Sequence, residues 1–378
     1  MMEILHLVYN KPDVIYKKMA LTVDQLATAQ VKLGYSVHVW EMGSSPYEEL
    51  QQRPYKIRNF HVKSYVWATT GEINEAIRQL NKNTIVHMHG GFVPLFFTFA
   101  FHLNKRKIPF VYTPHGTYNK SNIQASGISK KMYFKMFENS LMQWCAALHF
   151  EGPSEKSLID DPEITNDKKV LYIPNGLSNE SSLPPARFNE FEEPVFAWFG
   201  KPEMNNGGLD ILVQGFAEYK QKYSGKGVLW IVGEGDEKKQ LYALVTQLGI
   251  QNHVFFKGNV IGLRKFEMLN KVNVFLRPSR FEYDPAIVLE AASAWVPSIV
   301  SRETNMGEYI AEFDAGILLD QNTPHHLAKA IAKCASEIEN YGWEQKRKNA
   351  HRMVTEKFQW ANIAKEHIKV YERALASL

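Results

Sequence analysis

The chain has 378 residues, of which 45% are hydrophobic and 12% aromatic, and its formal net charge is +4 at pH 7. A chain of this size and composition can bury large cores, and its length favours two domains. Residues 1–175 carry 20 Lys/Arg and 15 Asp/Glu, which gives +5, and the remaining residues carry 24 and 25, which gives −1. So small an excess argues against a nucleic-acid-binding protein, but it suits an anionic membrane surface or a phosphorylated substrate.

The first ten residues, MMEILHLVYN, predict a β-strand and lack the basic start, long apolar run and cleavage site of a signal peptide. The two cysteines, Cys145 and Cys334, stand in no CxxC or Cys/His spacing, which argues against a metal or redox site. The longest apolar run, FVPLFFTFAFHL at 92–103, is too short to span a bilayer, and a buried helix is favoured over a membrane-dipping element. We therefore expect a cytoplasmic protein.

Short apolar runs alternate with longer amphipathic ones along residues 1–178, in the order EILHLVY, VDQLATAQVKLGYSVHVWEM, NTIVHMHG, IPFVYTPHG, ALHFEGPS and VLYIPNG. Alternating strand and helix patterns of this kind predict parallel βαβ units. Residues 179–194, NESSLPPARFNEFEEP, are polar, contain adjacent prolines and have no sustained period. They predict a linker.

A second alternating series fills residues 195–359 and comprises PVFAWFG, DILVQGFAEYKQKY, VLWIVGEG, KKQLYALVTQLG, HVFFKGNV, RKFEMLNK, VNVFLRPS, a helix near 285, PSIVS and AGILLD. The predicted fold class is therefore α/β, with two doubly wound domains. Such domains bind ligands at the carboxyl ends of their parallel strands, which predicts a site in the cleft between the two domains.

The segment RFEYDPAIVLEAASAW, residues 280–295, places three carboxylates in an apolar setting. Asp284 followed by Pro285 is a helix-start signal, because aspartate caps free amides and proline fits the first helical position. The helix N-terminus offers those amides and a positive dipole to an anion such as phosphate. Since the helix is apolar nearly all round, Glu290 needs hydrogen-bond donors. A buried ion pair and a ligand contact are both open alternatives for this carboxylate.

Glu282 and Glu290 are eight residues apart, which corresponds to about 12 Å if the segment is helical throughout. Retaining glycosidases place their two carboxyl groups about 5 Å apart, and inverting enzymes rarely more than about 9.5 Å. The pair therefore fits poorly as one acid/base couple. Two contacts along one extended ligand fit the spacing better.

Glu282 and Glu290 form an E-x7-E element that resembles that of retaining glycosyltransferases of family 4. That family has the GT-B fold, in which two Rossmann-like domains face each other across a cleft. Further matching segments are LATAQVKLGYSVHVW, TPHGTYNKSN, YIPNG, WIVGEGD, VFFKGNV and the closing FQWANIAKEHIKVYERAL. Each motif alone is weak, and their order and spacing carry the resemblance over nearly the whole chain. The resemblance implies that the helix at 360–378 joins the first domain.

The resemblance also implies roles for the matching residues. Glu290 would accept both ribose hydroxyls of a nucleotide, Glu282 would meet hydroxyls of the transferred sugar, and His115 would reach that sugar from the first domain. Lys201 would take the place of a diphosphate-binding arginine. The other donor-binding residues would be the backbone amides of Ala286 and Ile287, together with Gly233, Gly235, Gly258, Asn259 and Val260.

Some positions depart from the family pattern. A Gly-Gly pair expected before the first helix is Lys17 and Lys18, and a lysine expected six residues after Lys201 is Gly207. Arg280 is the favoured replacement for the missing cation because it shares a domain with Lys201. Lys17 and Lys18 are the alternatives from the first domain.

Arg280, the histidine segment at 87–90 and the basic segment at 130–135 each have more than one interpretation. Arg280 could instead pair with Glu282 or Asp284 in an ordinary ion pair. His89 and Gly90 would join Lys17 and Lys18 in a phosphate or acceptor loop. His87 and His89 alternate as metal ligands can, but they have no acidic partner nearby in sequence, so no metal is expected. The basic segment that contains Lys130, Lys131 and Lys135 is either a solvated helix face or a membrane anchor.

The resemblance, together with these features, implies a retaining, metal-independent hexosyltransferase in surface polysaccharide biosynthesis. The co-substrate would be a nucleoside diphosphate sugar, a UDP-sugar before others, and the acceptor a hydroxyl of a glycan or lipid-linked glycan. No separate cofactor is expected, and association with the inner face of the cell membrane is an open alternative. The first domain would bind the acceptor and the second the donor. A nucleotide-sugar epimerase on the same fold and a non-catalytic glycan- or nucleotide-binding relative are the competing hypotheses.

Overall fold

The computed structural model describes residues 2–10, 14–43, 52–62, 69–118, 128–156, 169–177, 193–282, 285–340 and 342–377. The chain divides into two compact units, of which the first comprises Met1–Gly176 with Trp360–Leu378 and the second Leu177–Gln359. Most of the predicted linker at 179–194, and the predicted helix cap Asp284, lie outside the described residues. Within the described residues, every helix is too short or too polar to cross a membrane.

The first unit is built on a parallel sheet of seven strands. They are β1 (Glu3–Asn10), β2 (Ser36–Gly43), β3 (Lys56–His61), β4 (Thr84–His89), β5 (Phe110–Thr113), β6 (Ala147–Phe150) and β7 (Val170–Tyr172), in the order β3-β2-β1-β4-β5-β6-β7. Its helices are α1 (Val14–Lys32), α2 (Gly71–Gln79), α3 (Pro94–Lys105), α4 (Ile128–Tyr133), a π-helical turn (Phe134–Glu138), α5 (Asn139–Trp144) and α6 (Pro153–Lys156). The C-terminal helix α14 (Trp360–Ala376) completes this unit.

Alternating side chains of β1 supply two different cores. Leu5 and Leu7 belong to the core that contains α2, α3 and α5, whereas Ile4 and Val8 belong to the core that contains α1 and α14. Because successive strand residues point to opposite faces, a sheet covered on both sides buries nearly every strand position. The apolar run at 92–103 falls largely in α3, whose buried residues join the first of these cores.

The second unit is built on a parallel sheet of six strands. They are β8 (Val195–Phe199), β9 (Val228–Val232), β10 (Val254–Phe256), β11 (Val274–Arg277), β12 (Ser298–Val300) and β13 (Gly316–Leu318), in the order β10-β9-β8-β11-β12-β13. The helices are α7 (Leu209–Lys222), α8 (Lys238–Gln247), α9 (Leu263–Leu269), α10 (Ala286–Ser293), α11 (Gly307–Phe313), α12 (Pro324–Glu339) and α13 (Trp343–Lys357), with a 3-10 turn at Arg302–Thr304.

In each sheet the strand order reverses beside the first strand of the unit. β1 lies between β2 and β4, and β8 lies between β9 and β11. Loops that leave the two sides of such a switch point turn to opposite faces of the sheet and leave a crevice at its carboxyl edge, where α/β proteins bind ligands. The predicted fold class, two doubly wound Rossmann-like domains, is confirmed.

Candidate functional site

The loops after β8 and β9 make a close backbone contact at the carboxyl edge of the second sheet. Gly233 has φ +145°, and a Cβ atom built on it would lie 1.7 Å from the carbonyl oxygen of Gly200. Only glycine permits this approach. A Cβ on Gly235 would lie 3.2 Å from Cγ of Lys201, so both predicted glycines line the loop that carries this lysine.

Lys201 follows β8 and extends into solvent. Its Nζ lies 4.0 Å from Oδ2 of Asp236, and its side chain is 64% exposed. An ion pair this long and this exposed contributes little, so the ammonium group is available to a ligand.

The loop after β10 adjoins the same edge. Gly258 has φ +70°, and a Cβ on it would lie 3.6 Å from Oε1 of Glu234, in the loop after β9. Asn259 is exposed, and Val260 is half-buried against the core beneath. These three predicted donor residues therefore lie beside the loop that contains Gly233.

Arg277, the last residue of β11, lies across the switch point from this loop and was not among the predicted site residues. Its Nη1 donates to the carbonyl of Phe199 at 3.1 Å, and its guanidinium lies 5.2 Å from the ring centroid of Trp198. A Cβ on Gly200 would lie 3.2 Å from the same Nη1. Arg277 therefore stands directly beside the backbone that leads into Lys201.

Glu282 is held by Arg277. Nε of Arg277 donates to Oε2 of Glu282 at 2.8 Å, Nη2 donates to the same oxygen, and the two side chains are 12% and 15% exposed. The backbone carbonyl of Glu282 accepts from Nδ2 of Asn305 at 2.8 Å. The carboxylate predicted to meet the sugar is thus fixed in place next to a cation.

Glu290 lies in α10 and pairs with Lys265 of α9. Nζ of Lys265 lies 2.6 Å from a carboxylate oxygen of Glu290. Of the two alternatives that the sequence left open, the ion pair is therefore present, and the carboxylate of Glu290 is partly exposed. Ala286 and Ile287, in the first turn of the same helix, are half-buried.

Arg280 has a partner that the sequence did not indicate. Its Nη1 and Nη2 donate to the two carboxylate oxygens of Asp210 at 2.7 and 2.6 Å, and Nη1 also bonds the carbonyls of Met204 and Asn205. Although burial acts in the opposite direction, the hydrogen bond and charge of Arg280 lower the pKa of Asp210. A Cβ on Gly207 in the same loop would lie 2.7 Å from the carbonyl of Glu203. Hydrogen bonds from Arg280 therefore hold the loop in which Gly207 replaces the expected lysine.

His115 follows β5 in the first unit and is buried, with a strained φ of +52°. Its Nδ1 lies 2.6 Å from Oε1 of Glu151, and its Nε2 lies 2.9 Å from Nδ1 of His89. The carboxylate of Glu155 accepts from the backbone N–H groups of Gly116 at 2.8 Å and Glu151 at 3.0 Å. Two acidic residues after β6 therefore hold the predicted catalytic loop.

The loop after β4 contacts the first turns of α1. Gly90 has φ +101°, and a Cβ on it would lie 3.2 Å from Sδ of Met19. Lys17 and Lys18 precede this methionine and are exposed. Gly90 thus lies beside Met19, which follows Lys17 and Lys18, whereas His89 turns inward to His115.

Three buried histidines offer ring nitrogens within 4.8 Å of one another: His6, His87 and His89. Each nitrogen already has a hydrogen-bond partner, and His6 and His89 bond each other at 2.9 Å. Burial lowers the pKa of His6 to about 4 and the pKa of His87 and His89 well below the ordinary value. A metal would have to displace these bonds, so the cluster fits a hydrogen-bonded network better than a ligand set.

Known proteins match both units. Residues 199–353 match the family model described as glycosyl transferases group 1, and residues 19–180 match that described as glycosyltransferase family 4. The uncharacterized glycosyltransferase MJ1607 of Methanocaldococcus jannaschii is 31% identical over 169 residues, 44% of this chain and 42% of that protein. A phosphatidylinositol N-acetylglucosaminyltransferase component of Arabidopsis thaliana is 24% identical over 311 residues, 82% of this chain and 66% of that protein. The chain matches less than two thirds of either relative.

Solved structures show the same fold. Anabaena Alr3699/HepE, crystallised in complex with UDP and glucose, aligns over 100% of both chains with a TM-score of 0.66 and 15% sequence identity. The two family models cover most of both units, and the sheet order and this structural similarity agree with them. The chain belongs to the family 4 type of glycosyltransferases, which have the GT-B fold.

Proposed function

We propose that the protein is a retaining glycosyltransferase that moves a sugar from a nucleoside diphosphate donor to a hydroxyl of a glycan or lipid-linked glycan. The observation that carries the proposal is the position of Arg277 beside the loop of Lys201, at the switch point of the second sheet. UDP is the favoured nucleotide because the structural relative from Anabaena binds UDP and glucose.

In this proposal the carboxyl edge of the second sheet binds the donor. Glu290 accepts the ribose hydroxyls, and Glu282 accepts a sugar hydroxyl while it keeps its bond to Arg277. The loops with Gly233 and Gly258 admit the nucleotide close to the backbone. A carboxylate already fixed by a cation loses little conformational freedom when it binds a hydroxyl, which favours precise placement of the sugar.

Lys201 and Arg277 act on the leaving diphosphate. Negative charge grows on the diphosphate as the sugar bond breaks, so cations already in place stabilise the transition state more than the bound donor. In a retaining mechanism of this type the acceptor attacks from the side that the diphosphate leaves, and a phosphate oxygen takes its proton. The proposal therefore needs neither a protein nucleophile nor a divalent metal.

The first unit would bind the acceptor. Its loop at Gly90, with Lys17 and Lys18 nearby, offers positive charge to an acceptor that carries phosphate. The name of the Arabidopsis relative, which describes transfer to phosphatidylinositol, supports a lipid-linked acceptor.

A peripheral contact with an anionic membrane would suit such an acceptor. On helix α4 and the π-helical turn, Met132 and Met136 are 59% and 56% exposed, and Lys131 and Lys135 beside them are exposed. Apolar side chains flanked by lysines are typical of helices that lie on anionic lipid. Sedimentation with vesicles that contain phosphatidylglycerol, compared with neutral vesicles, tests this contact.

The purified protein tests the function directly. Ligand-induced thermal stabilisation by UDP-, GDP- and ADP-sugars identifies the nucleotide, because a ligand that binds the folded state raises Tm by mass action. The best donor is then incubated with phospholipid-linked and free glycan acceptors, and the product is analysed by mass spectrometry and by NMR of the new anomeric centre. We expect UDP-sugars to stabilise the protein most and the anomeric configuration of the donor to be retained.

Each competing hypothesis predicts a different result. An epimerase would convert the donor in the absence of any acceptor. A non-catalytic binding protein would be stabilised by a nucleotide sugar without forming a product in the acceptor screen. An inverted anomeric centre in the product would contradict the retaining mechanism.

A further inference from the structure

A continuous line of buried hydrogen bonds extends from His115 through the first unit. We call it the histidine chain. Its successive members and their separations are Glu151 to His115 at 2.6 Å, His115 to His89 at 2.9 Å, His89 to His6 at 2.9 Å, His6 to Gln30 at 2.8 Å, Gln30 to Tyr371 at 3.5 Å, Tyr371 to His87 at 2.6 Å, His87 to Thr113 at 2.6 Å, Thr113 to His149 at 2.7 Å and His149 to the carbonyl of Ile173 at 2.8 Å.

One end of the histidine chain has a fixed direction. The backbone carbonyl of Ile173 can only accept, so Nε2 of His149 must carry the hydrogen that faces it. Burial lowers the pKa of His149 well below its ordinary value, so the ring is neutral and has a single N–H. Its Nδ1 therefore accepts, and the hydroxyl of Thr113 donates to it.

The donor hydrogens can be assigned in the same way through the middle of the histidine chain. Because the only hydroxyl hydrogen of Thr113 is used, its oxygen accepts from Nε2–H of His87. Nδ1 of this neutral ring then accepts from the hydroxyl of Tyr371, and that hydroxyl oxygen accepts from Nε2 of Gln30. The amide oxygen of Gln30 remains to accept from Nε2–H of His6.

The direction of the hydrogen bonds up to His115 follows in the same way, because each neutral ring has one N–H that donates and one nitrogen that accepts. His6 is neutral, since burial lowers its pKa to about 4, so its Nδ1 accepts from Nε2–H of His89. His89 is also neutral, and its Nδ1 accepts from Nε2–H of His115. Each of these rings is therefore the Nε2–H tautomer. The opposite direction would place two acceptors face to face at Ile173.

The other end of the histidine chain, between His115 and Glu151, requires one additional proton. Nε2 of His115 already carries a hydrogen, yet Nδ1 of the same ring lies 2.6 Å from Oε1 of Glu151. A hydrogen must lie between these two atoms, either on the carboxyl group or on a doubly protonated ring. Oε2 of Glu151 is buried and has no hydrogen-bond partner within the described part of the chain, which disfavours a bare carboxylate. The pair is therefore neutral overall and shares one proton.

We propose that Glu151 is a positioning residue that acts through His115. Glu151 and the histidine chain together fix the His115 ring in one orientation, with both ring nitrogens bonded to the protein. The proposal deepens the proposed function and rests on it for its catalytic consequence, because His115 there approaches the transferred sugar. Its ring then presents a C–H edge or face to the substrate, and no ring nitrogen is available to bond a sugar hydroxyl.

NMR of the wild-type protein tests the direction of the hydrogen bonds in the histidine chain without any activity measurement. In protein labelled with ¹⁵N-histidine, two-bond ¹H–¹⁵N correlations distinguish the two neutral tautomers of each ring. We expect Nε2–H for His6, His87, His89 and His149. His367 is the control within the same spectrum, because its Nδ1 lies 2.9 Å from the carbonyl of Ile363 and must carry the hydrogen. An Nδ1–H tautomer at any of the four rings would overturn the proposed direction.

Substitution of Glu151 tests the catalytic consequence. In Glu151→Gln the amide N–H can still donate to Nδ1 of His115, so the ring orientation, the tautomers and Tm should persist, and turnover should stay within about threefold of the wild type. In Glu151→Ala that bond is lost, so turnover should fall at least about tenfold while KM for the donor changes less than about threefold. The tautomers of His6, His87, His89 and His149 should persist in Glu151→Ala, because the carbonyl of Ile173 sets their direction. Wild-type turnover in Glu151→Ala, or a loss in Glu151→Gln as large as that in Glu151→Ala, would overturn the positioning role. A protein with the expected tautomers and no transferase activity on any acceptor would contradict the proposed function alone.

Discussion

Lys265 and Glu290 form an ion pair between α9 and α10, with Nζ 2.6 Å from Oε1 of the carboxylate. The side chains are 24% and 21% exposed, so the pair is partly hydrated and its contribution to stability is modest. A ligand hydroxyl can join or replace the lysine without leaving the carboxylate unsatisfied. The relationship therefore leaves Glu290 available for the ribose contact that we propose.

Glu290→Gln should chiefly weaken nucleotide binding. The amide oxygen still accepts a ribose hydroxyl, but the charge-assisted strength of the bond is lost, which costs about 1 to 3 kcal/mol and raises Kd by about 5- to 150-fold. Calorimetric titration with UDP measures the effect. Glu267→Gln on the exposed face of α9 is the matched control and should bind UDP as the wild type does. A variant with a much lower Tm and unchanged affinity for UDP would show that the pair is only structural.

Arg277→Met and Lys201→Met should reduce turnover far more than donor binding. Each removes a cation aimed at the leaving diphosphate, and loss of one such group costs about 3 kcal/mol, or about a hundredfold in kcat. Arg302→Met removes an exposed arginine of the same unit that pairs with Glu308, and it should retain wild-type turnover.

Because Arg277→Met also removes the hydrogen bonds from Arg277 to Glu282, Arg277→Lys is the second variant. It should retain more turnover than Arg277→Met, since the charge persists although the bonds to Glu282 and Phe199 are weakened. Wild-type kcat in Arg277→Met, alongside an inactive Lys201→Met, would show that one cation is sufficient.

The sequence predicted the fold because strand and helix periods are local, and each of its alternating runs forms in the structure. It also singled out Glu290, since a carboxylate in an apolar helix is visible without knowledge of its surroundings. It could not identify Lys265 or Asp210 as partners, because these contacts join segments 25 and 70 residues apart.

Two features of the sequence nevertheless indicated buried polar residues that need partners. Arg277 ends the apolar strand VNVFLRPS, where a charge requires a partner, and the strands EILHLVY, NTIVHMHG and ALHF each contain a histidine in a run that a buried sheet would otherwise fill with apolar residues. Of these histidines, only His87 and His89 were considered as site residues: both for a metal site that was not expected, and His89 for a phosphate or acceptor loop. The hydrogen-bond direction that links them depends on side-chain geometry, which no sequence pattern contains.

The buried histidines should make the protein sensitive to acid. Burial lowers the pKa of His6 and His367 from 6.5 to about 4. The unfolded chain therefore binds more protons between pH 6.5 and pH 4, and the stability that these rings contribute is fully present above pH 6.5 and lost as the pH falls. Each ring can account for about 3 kcal/mol across that interval. Urea unfolding at pH 7.5 and pH 5.0 should show a large decrease, and equal free energies of unfolding at the two values would contradict the neutral buried rings.

Turnover should persist when divalent metals are removed. In the proposed site, Lys201 and Arg277 would supply the positive charge that a metal ion supplies in other sugar-nucleotide sites, and the amides at the start of α10 would add to it. Assays with EDTA, followed by addition of Mg²⁺ or Mn²⁺, measure the effect. Loss of activity with EDTA and its recovery with either metal would mean that the diphosphate site has been placed wrongly.

The pair of Arg280 and Asp210 should act on the shape of the loop rather than on the diphosphate. The guanidinium of Arg280 already bonds both carboxylate oxygens and the carbonyls of Met204 and Asn205, in the loop between Lys201 and α7. If this pair only holds the loop, Arg280→Ala and Asp210→Ala should reduce turnover to a similar extent, and the double variant should be little worse than either. If Arg280 instead neutralises the diphosphate, Asp210→Ala should release it, so that this variant keeps its turnover while Arg280→Ala is nearly inactive. We expect the first pattern. Measuring kcat for the two single variants and the double variant separates the two patterns, because a shared loop gives strong coupling in kcat and a phosphate contact gives none, while Tm shows that each variant keeps its fold.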